Sequence, residues 1–139
     1  MLKNNYSLDF EYLLSLKTVE WKDNSVIMID QTKLPNTLEY VTYTDYNQIA
    51  DAIRTLVVRG APAIGVSGAF GLALAALQSN ATEKDELIVY MENAKKILFE
   101  TRPTAINLAW GLNKIMHIAN QSTTVDEIRT NVVETAKKM

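Results

Sequence analysis

The chain has 139 residues, with 14 Lys and Arg against 16 Asp and Glu, 47% apolar residues, a single histidine and no cysteine. That balance gives no general electrostatic pull toward nucleic acid or an anionic membrane, and it excludes disulfides, thiolate metal sites and a histidine-based zinc site. The length suits one compact domain with a sizeable core, spanning residues 1–139.

The first segment, MLKNNYSLDFEYLLSLK, is broken by Asn4, Asn5, Asp9 and Glu11. It lacks the unbroken apolar stretch and small-residue cleavage site of a secretory signal, so a cytoplasmic protein is expected. TVEW (18–21) and SVIMID (25–30) are short β-rich runs separated by the turn residues Lys22, Asp23 and Asn24, which predicts a hairpin. A third strand, LEYVTY (38–43), is expected after the break at Pro35 and Asn36.

The period then changes from two to about 3.6. Asp45 with Gln48 forms a capping-box signal, and Tyr46, Ile49, Ala52, Ile53, Leu56 and Val57 fall on one helical face. This helix is expected to run out near Val58. The next begins at Ala61 or Pro62, since proline suits a first helical turn. Its run APAIGVSGAFGLALAAL (61–77) is uncharged and as long as the shortest spanning helices, yet its many alanines and glycines and its amphipathic neighbours favour a buried core helix over a membrane span. Thr82 with Asp85 is expected to open a further helix that buries Leu87, Met91, Ala94, Ile97 and Leu98. Pro103 is placed in the first turn of the next, ahead of Ile106, Ala109, Leu112, Asn113 and Met116. Thr124 with Glu127 opens the last helix, which carries Ile128, Val132 and Thr135. That helix ends on lysines without a glycine or asparagine cap, as either a truncated chain or a natural helix end would.

The elements add up to an α+β fold: a small N-terminal antiparallel sheet of about three strands, then a bundle of about five helices around the glycine-bearing central one. Gly65, Gly68 and Gly71 each cost that helix roughly 1 kcal/mol relative to alanine. Close approach by another backbone or by a ligand is the expected return, helix packing being the commoner case. They are not a dinucleotide fingerprint, because their spacing differs and they lie inside the helix instead of before it. Trp21 and Trp110 are expected in the core, and His117 at a helix surface.

Two stretches carry the candidate site. In VVRGAPAIG, Gly60 allows a sharp turn, so the amides of Gly60 and Ala61, the free donors of the new helix and the Arg59 guanidinium can face one phosphate or carboxylate. The competing reading makes Arg59 a cap for a neighbouring helix or the partner of a core carboxylate. ETRPTAINLAW repeats the design, with Arg102 before a proline, Thr101 or Thr104 offering a hydroxyl, and Asn107 and Asn113 as packing or capping residues. Two guanidinium groups suit a doubly charged phosphate. No nucleophile, base and orienting group form a catalytic set. The residues alone therefore support a small-anion or sugar-phosphate binding domain, with no nucleic acid, membrane, metal or cofactor as partner.

The stretches TVEWKDNSVIMIDQTKLPNTLEY, VVRGAPAIGVSGAFGLALA and TRPTAINLAW, in this order, resemble the N-terminal part of methylthioribose-1-phosphate isomerases, which are related to the regulatory subunits of translation initiation factor two-B. The resemblance covers the chain from about Thr18 onward. It implies isomerisation of 5-methylthioribose 1-phosphate to 5-methylthioribulose 1-phosphate in methionine salvage, without metal or redox cofactor, and a homodimer for the full-length enzyme. It also implies that Arg59, Gly60, Ala61 and Arg102 bind substrate, whereas the family's catalytic cysteine and aspartate belong to a C-terminal Rossmann-like domain. This chain has no cysteine and is expected to be an N-terminal domain, inactive alone. A regulatory or interaction module like the initiation-factor subunits and a ribose-1,5-bisphosphate isomerase are the alternatives; the VEWKD hairpin disfavours the second.

Overall fold

Asp23 and Asn24 both adopt positive φ, 53° and 57°. A two-residue hairpin turn matched to the strand twist requires this, and Asn and Asp tolerate it best after glycine. The turn joins β1 (Val19–Lys22) to β2 (Ser25–Ile29), with Val19 opposite Met28 and Trp21 opposite Val26. Strand β3 (Tyr40–Tyr43) pairs antiparallel on the other edge of β2, so the sheet order follows the chain. Val26, Met28 and Ile29 of the central strand are buried. The computed structural model describes residues 17–139, and the reading of the first segment as lacking a leader lies almost wholly outside them.

Five helices follow: α1 (Tyr46–Arg54), α2 (Ala61–Gln78), α3 (Lys84–Thr101), α4 (Ile106–Gln121) and α5 (Val125–Lys137). The expected α+β arrangement of three strands and five helices is the one observed. Asp45 caps α1 by accepting from the Asn47 amide at 2.7 Å, while Gln48 reaches back to the Asp45 amide at 3.2 Å. Helix α1 stops earlier than expected. Thr55 closes it with its hydroxyl on the Asp51 carbonyl at 2.7 Å, and Leu56 takes a positive φ of 66° that no helix continues through. Thr124 caps α5 at the Glu127 amide as expected, at 3.1 Å.

Helix α2 is the centre of the fold and touches α1, α3, α4, α5 and β1. It is long and apolar enough to cross a membrane, with a mean hydropathy of 1.5, but 67% of it is buried against the rest of the domain. It is a core helix. Its glycines serve close packing: a Cβ on Gly65 would sit 2.8 Å from the Asn107 carbonyl oxygen, one on Gly68 2.5 Å from Leu108 Cδ1, and one on Gly71 3.0 Å from Leu98 Cδ1. Trp21 lies over Phe70 of α2 with ring centroids 5.5 Å apart, fixing the sheet to the bundle.

Four local expectations need correction. Helix α3 starts after Glu83, with Glu86 accepting from the Glu83 amide at 3.3 Å, so the Thr82 and Asp85 pair does not cap it. Ile97 is exposed at the edge of the stripe that Leu87, Met91, Ala94 and Leu98 complete. Pro103 is in the turn before α4, not in its first helical turn. Ile106 is 83% and Trp110 56% exposed, because Leu108, Gly111, Leu112 and Ile115 already form the inward face and these two point away from it. The Lys114 ammonium stands 5.0 Å from the Trp110 ring centre instead.

Half-buried Tyr43 has its phenol pushed above the usual value, first by burial and then by the charges of Asp30 and Asp51. A group protonated more tightly in the folded state leaves stability intact below its unfolded value near 10 and lowers it as pH rises beyond. Alkaline unfolding followed by circular dichroism is therefore expected to be delayed in Tyr43→Phe above about pH 10, with no difference at neutral pH.

Candidate functional site

Among the five helices, α2 and α4 are the two whose starts carry no side-chain cap and no capping box. Gly60 caps α2 with φ 88°, a conformation that L side chains rarely adopt, and a Cβ there would meet nothing within 4 Å. The Gly60 carbonyl accepts from the Ile64 amide at 2.9 Å, which begins the helix. The amides of Gly60, Ala61 and Ala63 find no acceptor among the described residues, and Pro62 has none to satisfy. These donors stand at the positive end of the helix dipole, where an anion is favoured. Arg59, Gly60, Ala61 and Pro62 are all exposed.

Arg59 is partly accounted for by the chain itself. Its Nε donates to the Leu56 carbonyl at 3.2 Å, an oxygen left open where α1 unwinds, and this steadies the stem. The terminal guanidinium nitrogens have no hydrogen-bond or ion-pair partner among the described residues, so the head can take two oxygens of one anion.

Arg102 is placed differently from expectation. It ends α3 with φ −148° and ψ 72°, its carbonyl accepts from the Ala105 amide at 3.0 Å, and α4 starts only at Ile106. The Thr101 hydroxyl is consumed in donating to the Leu98 carbonyl at 2.6 Å. The exposed Thr104 keeps a hydroxyl with no partner among the described residues. The Arg102 side chain is half-buried and has no hydrogen bond or ion pair among those residues.

The arginine that does the work of a helix cap is Arg129, which no local sequence pattern singles out. From α5 its guanidinium donates to the carbonyls of Ala76 (2.8 Å), Ser79 (2.6 Å) and Ala81 (3.3 Å), where α2 ends. Those partners are 48 to 53 residues away in the chain, so no local pattern announces them. Gly111 is a second functional position absent from the sequence-based expectations. Its signal is the one that marks Gly65, a glycine inside a helix at a cost in helix propensity.

Gly65 and Asn107 mark where α2 meets α4. Ala61 is four residues before Gly65, about 6 Å along the helix at the standard rise. Arg102 is five residues before Asn107, across the turn. The two uncapped helix starts are thus tied to the same crossing. Among the described residues, no group of three or more His, Cys, Asp or Glu could hold a metal ion. His117 is exposed on α4, on the helix surface as expected.

Comparison with known proteins bears on the fold and the family. A methylthioribose-1-phosphate isomerase from Geobacter sp. (strain M21) is 48% identical over 113 residues, covering 81% of this chain and 33% of that protein. The same enzyme from Trichlorobacter lovleyi is 43% identical over 125 residues, or 88% of this chain and 36% of the relative. The chain therefore spans about a third of the length of these relatives. Two crystal structures superpose on it at 40% identity. The 5-methylthioribose 1-phosphate isomerase of Pyrococcus horikoshii OT3 does so with a TM-score of 0.85, covering 97% of this chain and 39% of its own. The translation initiation factor eIF-2B subunit delta of A. fulgidus does so with a TM-score of 0.84, covering 89% and 36%. Residues 57–139, which hold both candidate stretches and more than half of the sequence, match the Initiation factor 2 subunit family, and the chain belongs to that family.

Proposed function

We propose that this chain is the substrate-anchoring part of a cytoplasmic methylthioribose-1-phosphate isomerase, with Arg59, Gly60, Ala61 and Arg102 holding the sugar phosphate. The observation that carries the reading is the pair of uncapped helix starts, each preceded by an arginine with unengaged guanidinium nitrogens, joined at one helix crossing. The isomerase relatives supply the substrate. In 5-methylthioribose 1-phosphate the phosphate ester locks C1. Opening the ring and moving hydrogen between C2 and C1 therefore needs an acid or base placed against those carbons in a site closed to water. Anchoring the phosphate supplies binding energy that orients the carbons before the chemical step. The residues of this chain bind and orient; the acid and base come from outside it, and no metal or redox cofactor takes part.

Calorimetric titration of the folded chain with 5-methylthioribose 1-phosphate tests this directly. Weak binding without turnover is expected. Turnover by the 139-residue chain would overturn the division of labour, and an absence of binding would overturn a preformed pocket. The A. fulgidus subunit supports a second reading, a regulatory interaction module. Retention of partner binding by Arg59→Ala, with anion binding lost and no effect on any isomerisation, would favour it.

In the full-length enzyme, which we read as a homodimer, Ile106, Trp110 and Phe99 would be covered. Left exposed, they are large apolar side chains facing solvent on α3 and α4. Sedimentation of the isolated chain is expected to show self-association that grows with concentration. A clean monomer at high concentration would count against covering of this face.

A further inference from the structure

We infer that Gly111 and Gly65 are positioning residues for the anion site: their backbone contact sets the distance between the start of α2 beside Arg59 and the turn before α4 that holds Arg102. This rests on the reading of Arg59 and Arg102 as joint phosphate ligands. A Cβ on Gly111 would fall inside contact distance of the Gly65 carbonyl oxygen and 3.1 Å from its carbonyl carbon. A Cβ on Gly65 would lie 2.8 Å from the Asn107 carbonyl oxygen and 3.3 Å from its carbon. In both cases the obstacle is main chain, which cannot rotate away as a side chain can. One added methyl must push α4 off α2 by a few tenths of an ångström to about 1 Å, since protein interiors have little slack.

The consequence for the site follows from where these residues stand. Gly65 is one turn into α2, and Asn107 is the second residue of α4. Displacing one helix from the other therefore displaces Gly60 and Ala61 relative to the turn that holds Arg102. Two guanidinium groups gripping one phosphate are sensitive to such a shift, because each must be held close to its productive geometry for both to bind at once. Gly68 is the internal contrast. Its neighbours are the Cδ1 of Leu108 and the Cδ2 and Cγ of Leu112, flexible side-chain ends that can yield without moving α4 as a body.

The test reads the stabilisation that inorganic phosphate adds, taken from the rise in melting temperature and the unfolding entropy of each variant, since the free-energy increment depends on affinity and not on starting stability. Wild type, Gly111→Ala, Gly68→Ala and Leu112→Ala are melted with and without millimolar phosphate, and phosphate affinity is confirmed by titration. Leu112→Ala and Gly68→Ala are expected to melt lower but keep the wild-type increment. Gly111→Ala is expected to lose most of it, with affinity down at least tenfold. A wild-type increment retained by Gly111→Ala overturns the positioning role and leaves the anion site standing. No increment in the wild type overturns the anion site itself. Should Gly111→Ala not fold, Gly65→Ala, a smaller intrusion at the same crossing against the Asn107 carbonyl, decides by the same criteria.

Discussion

Arg59→Ala and Arg102→Ala are each expected to weaken binding of 5-methylthioribose 1-phosphate by roughly thirtyfold while leaving the melting temperature almost unchanged. A charge-assisted hydrogen bond to a phosphate is worth about 1.5–3 kcal/mol, and about 2 kcal/mol corresponds to a factor near thirty. The small effect on folding has an equally direct cause. Arg59 makes one hydrogen bond within the chain, to the Leu56 carbonyl, and the Arg102 side chain makes none among the described residues. Titration calorimetry paired with thermal melts separates the two quantities. If one variant binds like wild type, its arginine is not a ligand; if one melts far lower, that arginine is structural. Because the two groups would grip the same phosphate, the double variant is expected to lose less than the sum of the single losses.

Arg129→Ala is expected to do the reverse, lowering stability by about 2 kcal/mol or more and the melting temperature by roughly 6–10 °C, with phosphate affinity intact in the folded fraction. Helix α2 ends with open carbonyls in a half-buried corner, and Arg129 satisfies three acceptors there from another helix. Removing the guanidinium strands those acceptors and unties α5 from the loop that leads into α3. Arg129→Lys should recover only part of the loss, because one ammonium cannot span the carbonyls of Ala76, Ser79 and Ala81 as a planar fork does. Scanning calorimetry decides: a melting point within about 2 °C of wild type would show that the three bonds carry no net stability.

The three arginines also show how far local sequence can be pushed. Arg59 and Arg102 drew attention because each precedes a proline near a helix start, a pattern visible within five residues. The same pattern misplaced the start of α4. The turn from Arg102 to Ala105 closes through a backbone hydrogen bond that residue types do not encode, so Pro103 ended outside the helix. Arg129 was invisible because its partners become neighbours only when α5 packs beside the end of α2. Composition misleads at Trp110: a large apolar side chain suggests core, but the inward face of α4 is already filled by Leu108, Gly111, Leu112 and Ile115.

By itself, the sequence determined the class and order of the elements, because periods of two and 3.6, turn residues such as Asp23 and Asn24, and caps such as Asp45 and Thr124 act over a few residues. It also determined the chemistry on offer: no thiol, a lone histidine, and arginines at the approaches to two helices. Tertiary structure alone decided which helix would be wrapped by the others, which glycines would touch backbone and which side chains, and that the starts of α2 and α4 would be tied at Gly65, Asn107 and Gly111. Those outcomes depend on contacts between residues some forty positions apart, set by how whole helix faces fit together, and no short stretch of the chain contains that information.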